Sequence, residues 1–103
     1  ERAKLEWNAR RILTLWGMAE TMTGRLDHAR ALFRRSLALD PNQRMALRGM
    51  ASTSFRLGDY PEARRAAMEL QRRQVDAPEV GDILRALDSM GVAAPNAGTG
   101  RAP

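Results

Sequence analysis

The stretch from Gly24 to Pro41, GRLDHARALFRRSLALDP, occurs twice in variant form. Shifted by 34 residues it falls on GDYPEARRAAMELQRRQVD, so that Gly24 meets Gly58, Leu26 meets Tyr60, Ala29 meets Ala63 and Arg30 meets Arg64. A repeat of this length, with small residues at fixed offsets, restricts the chain to stacked helical hairpins in which each unit covers the apolar face that its neighbour leaves open. Aromatic residues make up only 5% of the chain against 44% hydrophobic residues overall. The core must then be filled by Leu, Ala and Met in helices that approach closely, and an all-α architecture follows.

Leu5, Ile12, Leu13, Leu15, Trp16, Ala19 and Met22 recur near every third and fourth position and predict a helix from Leu5 to Met22. Gly17 lies inside this pattern and marks a close crossing, while Thr23 and Gly24 end the segment. A second helix is expected from Leu26 to Leu39, anchored by Phe33, with the single histidine, His28, on its outer side. Asp40-Pro41-Asn42-Gln43 reads as a capping box opening a third helix, which carries Leu47, Met50, Ala51 and Ser54 inward and stops at Gly58. Asp59-Tyr60-Pro61-Glu62 repeats the cap, with Glu62 reaching back, and opens a fourth helix through Ala63, Ala67 and Leu70 to Arg73. Asp76-Ala77-Pro78-Glu79 repeats it again for a shorter fifth helix that ends at Gly91, with Val80, Ile83, Leu84, Leu87 and Met90 on its apolar side. The remaining segment, rich in Pro and Gly, reads as a flexible tail.

These residues resemble the tetratricopeptide repeat. Leu13, Trp16, Gly17, Gly24, Leu26, Ala29, Phe33, Ser36 and Pro41 match its signature in a first unit, and Leu47, Met50, Ala51, Gly58, Tyr60, Ala63 and Leu70 match it in a second. The resemblance implies a right-handed superhelical stack with repeats at about 10–43 and 44–77 and a capping helix at about 78–90. A helical domain over 1–90 and a tail over 91–103 follow. Glu20 stands where the family has Tyr, Ala67 replaces an aromatic, Leu70 replaces a small residue and Val75 replaces the closing proline, so the second unit is the looser. Small residues at Gly17, Ala29, Ala51 and Ala63 let backbones cross, while Trp16, Phe33 and Leu47 are expected to fill the space between. Two hairpins and one helix are near the minimum for such a stack, which predicts a marginal monomer that gains stability from a partner, a longer parent chain or self-association.

In the resembled family the concave wall takes peptides. Its groove positions fall here on Arg11, Thr14, Met18, Thr21 and Met22, then on Met45, Arg48, Ser52, Phe55 and Arg56. Adaptable methionines beside a few arginines suit an amphipathic or weakly acidic segment, with Arg11, Arg48 and Arg56 as polar anchors. The competing reading has the methionines packing only against adjacent helices. A subset of the family grips a terminal carboxylate with Lys and Asn, but Thr14 and Met18 occupy two of those positions, so that clamp is not expected.

The net charge of +5 comes from 17 basic and 12 acidic residues. It fits either solvated arginine from a biased codon usage or a basic face for an acidic partner. An RNA-binding helical repeat is the rival from another class, but few aromatics for stacking and methionine at the reading positions speak against it. A self-assembling subunit of a bacterial secretion, pilus or envelope complex is the other rival, docking through the tail and the incomplete end of the stack. One histidine and no cysteine give no triad and no thiolate site, and Asp82 with Asp88 lack further ligands, so neither catalysis, a metal nor a cofactor is expected. No apolar run approaches the length of a bilayer crossing. A chain that opens on Glu1 reads as a processed or excised piece of something longer. The compartment stays open between cytoplasm and periplasm.

Overall fold

Turns at Gly24 and Gly58 and the Asp40–Gln43 connection fold the chain back on itself, and the described residues form a row of five helices. Residues 2–73 and 77–91 are described in a computed structural model. The helices are α1 (Arg2–Met22), α2 (Leu26–Leu39), α3 (Arg44–Leu57), α4 (Tyr60–Arg72) and α5 (Pro78–Ser89). α1 pairs with α2 and α3 with α4 as antiparallel hairpins; α2 packs on α3, and α4 on α5, so the stack grows along one axis. Its extents are 52 × 28 × 24 Å. Val75, the Asp76 cap, and the tail from Val92 onward lie outside the described residues.

The repeat is visible in hydrogen bonds. Gly24 and Gly58 take positive φ values of 86° and 87°, a left-handed conformation open to glycine at little cost. The residue after each then donates its N–H five residues back, Arg25 to the Glu20 carbonyl at 2.9 Å and Asp59 to the Ser54 carbonyl at 2.8 Å. Two equivalent caps therefore turn α1 into α2 and α3 into α4.

Ala29 and Ala63, 34 residues apart in sequence, are both fully buried where the hairpins close. Phe33 is the central side chain of the stack. Its ring lies against Gly17 of α1 and Gly49 of α3: a Cβ on Gly17 would stand 2.8 Å from Phe33 Cε1, and one on Gly49 would stand closer still. The rest of the core is alanine with Leu13, Leu32, Leu47, Met50, Leu70, Val80, Leu84 and Leu87, in keeping with helices that meet through small residues.

Four expectations are corrected. Trp16 does not fill the space between helices; it is 50% exposed, with its indole N–H donating to Glu20 at 3.1 Å. The reason is coverage, since none of the described residues outside α1 lies against that side of the helix, whereas α2 lies against α3 and buries the equivalent Met50. Methionine is not a core filler either, because among the described residues only Met50 is buried and the other five are exposed. Asp40 does not cap α3. It closes α2 by donating its N–H to the Ser36 carbonyl, while its carboxylate accepts from the Asn42 N–H at 3.0 Å and pairs with Arg10 at 2.9 Å. Pro41 and Asn42 form a turn, and α3 begins at Arg44. The Asp59 cap of α4 is present, its carboxylate accepting from the Glu62 N–H, but Glu62 pairs with Arg65 instead of reaching back.

Candidate functional site

The first helices of the units, α1 and α3, and the single helix α5 follow one another across one side of the stack. On α3 the residues Met45, Arg48, Ser52, Phe55 and Arg56 recur at three- and four-residue spacings and so share one face. With Met18, Thr21 and Met22 of α1 they line a pocket of about 460 Å3, and α5 closes its far side with Glu79, Asp82 and Ile83. Phe33 and Gly49 form its floor. Met18 and Met45 are exposed on its walls, and Phe55 is half-buried with its ring 5.6 Å from that of Tyr60 and tilted by 57°.

Arg11 and Thr14 lie beside this pocket. They line a second one, of about 410 Å3, together with Trp7, Leu15, Gln43 and Met45, and the shared Met45 makes the two concavities neighbours along α1. The Arg11 guanidinium stands 5.2 Å over the Trp7 ring. Thr14 contributes little to any surface. It is buried, with its hydroxyl 2.7 Å from that of Ser36, which donates in turn to the Arg10 carbonyl at 2.8 Å and accepts from Gln43 Nε2 at 2.7 Å. This hydrogen-bonded cluster joins α1, α2 and the turn into α3.

The three expected arginine anchors differ in what holds them. Arg48 is paired with Glu79 across to α5, so its charge is met within the chain. Glu79 is held below the usual carboxylate range, first by its own backbone N–H at the start of α5 and then by Arg48. Asp82 is paired with Arg85. Arg56, in the last turn of α3, makes no ion pair among the described residues and is the cation left facing the pocket.

Trp7, Glu79, Asp82 and Ile83 were not among the expected groove residues. The same 34-residue shift contains the signal for three of them, because it carries Met45, Arg48 and Gly49 onto Glu79, Asp82 and Ile83 of α5. Trp7 lies on the part of α1 that precedes the first unit. His28 is exposed on α2, away from both pockets.

The tetratricopeptide repeat family model matches residues 21–87, the greater part of the chain. The chain belongs to the tetratricopeptide repeat family. Comparison with curated proteins and with solved structures gives no match. As a tetratricopeptide repeat protein it is a protein–protein interaction module in general terms. The match begins within α1 and leaves most of that helix outside, while α2 to α5 fall inside it almost whole. Among the described residues of this repeat protein, no helix is long and apolar enough to cross a membrane.

Proposed function

We propose that this repeat protein holds an amphipathic segment of a partner protein in the concavity between α1, α3 and α5, as a scaffold or chaperone without a catalytic step. The observation that carries the reading is the pocket of about 460 Å3 walled by exposed Met18 and Met45, with half-buried Phe55 at one end. Methionines in water have no packing role to explain them, and their flexible thioethers adapt to varied apolar guests. Arg56 supplies the cation for an acidic residue on the guest, and Arg11 supplies a second at the neighbouring hollow. Arg48 is a member of the wall rather than an anchor, because Glu79 already neutralises it.

The test is capture from an extract of the native cell with wild-type and Phe55→Asp baits, read by mass spectrometry. The charged variant should lose the captured protein while its circular dichroism stays helical. Loss of helicity would mark Phe55 as core and remove it from the groove. Capture should also survive the step from low to physiological salt, whereas contacts to nucleic-acid phosphates would weaken steeply over that range.

A further inference from the structure

The repeat register sets three triplets of residues in equivalent places: Ile12, Trp16 and Ala19 on α1; Ala46, Met50 and Thr53 on α3; Val80, Leu84 and Leu87 on α5. The second and third triplets are buried, no residue in them exceeding 8% exposure, because α2 covers α3 and α4 covers α5. The first is open, with Ile12 61% exposed. Leu13 and Gly17, which face α2, are buried on the opposite side of α1, so a helix laid on the open face would meet no part of the stack.

α1 is also longer than the register requires. Arg44, the first residue of α3, corresponds to Arg10, yet α1 starts at Arg2, about two turns earlier. The positions equivalent to the Asp40–Gln43 connection are helical in α1, so the open face is not served by a preceding hairpin joined through the same short turn. The added turns continue the apolar face in a different period. Leu5, Ile12 and Ala19 are spaced by seven, and Asn8, Leu15 and Met22 follow each of them by three; all six are exposed. That is a heptad seam.

We propose that two copies of this chain pair along α1 as a parallel, two-stranded coiled coil. Ile12 and Leu15 form the central layers, and Ile at the first with Leu at the second is the combination that favours two parallel strands. Asn8 is the one polar residue in the seam and sets the register by meeting its counterpart. The described residues at the far end of the molecule do not match this face for head-to-tail stacking. There the positions equivalent to Leu13 and Gly17 are Gly81 and Arg85, beside exposed Pro78 and Ser89, and offer no apolar face.

Sedimentation equilibrium of the wild-type chain from micromolar to millimolar loading tests the pairing. The mass should rise to twice 11.5 kDa, and Ile12→Glu should return it to the single-chain value with helicity unchanged, since Ile12 contributes nothing to the core. Phe55→Asp, on the other wall, should remain dimeric. Because the chain has no cysteine, Asn8→Cys should form one intermolecular disulfide in air. A wild-type chain that stays monomeric throughout, as it would if the face served another protein's helix, overturns the proposal. So does a dimer that Ile12→Glu leaves intact, and a dimer that Asn8→Cys fails to cross-link overturns the parallel register.

Discussion

Phe33 joins two hairpins and the groove: it is buried between Gly17 and Gly49, and its ring forms part of the pocket floor. Gly49 sits in the middle of α3, where alanine would gain about 1 kcal/mol of helix propensity. Against this, the new methyl would overlap the Phe33 ring, and the ring has no room to retreat because Gly17 backs it on the other side. Overpacking of this kind costs about 1–3 kcal/mol. Gly49→Ala should therefore destabilise the protein despite the better helix former, seen as a lower urea midpoint. Combination with Phe33→Leu should recover part of the loss relative to Phe33→Leu alone. The role of Gly49 was not legible in the sequence, where it falls on the groove face of α3; its neighbour appears only when the direction of the Phe33 ring is known. Gly17, set within an apolar stripe, could be read as a crossing point.

Equivalent elements of the two hairpins are stabilised unequally. Arg25 precedes α2 and offers no side-chain cap, whereas Asp59 caps α4 and also accepts from Arg30 at 2.9 Å, tying α2 to the start of α4. Arg64, the repeat equivalent of Arg30, makes the corresponding link onward, donating to Asp88 of α5 at 2.6 Å. Asp59→Ala should cost about 0.5–2 kcal/mol in chemical denaturation, and Asp59→Asn should cost less because the amide oxygen keeps the cap and loses only the ion pair. Elements that obey the repeat were readable from the sequence: α2 falls at its expected residues, and the glycine caps and buried alanines recur at the period. Features that depend on what lies alongside were not. Trp16 has the same helical position as Met50 and Leu84 and differs in having no helix over it among the described residues. Asp40 has the residue type of an N-cap but spends its carboxylate on Arg10 and the turn.

At the level of the whole molecule, acid should loosen the stack. Glu79 and Glu69 both lie below the usual carboxylate range, Glu79 through its backbone N–H and Arg48, Glu69 through Arg72 and then Arg73. A carboxylate whose pKa is lowered by folding contributes stability that is present above the ordinary value of 4.5 and is lost as pH falls through the lowered one. The melting temperature should therefore fall as the solution is taken below that value. Both side chains are only partly buried, so the change should be modest and smaller in high salt. Glu79→Gln should flatten the part of the profile owed to the α3–α5 pair, which thermal melts followed by circular dichroism across the acid range would show. The period made the stack legible, but not this clasp, because Arg48 and Glu79 occupy different places in the repeat and meet only through the offset between neighbouring helices. Phe33 has a consequence of another kind. On the proposed reading the keystone of the arch would also be the bed of a guest, so changes that deepen the hollow from below weaken the arch itself. Under that proposal, variation in ligand preference would be confined to the rim, at Met18, Met45, Phe55 and Arg56, where side chains can be exchanged without loosening the stones beneath.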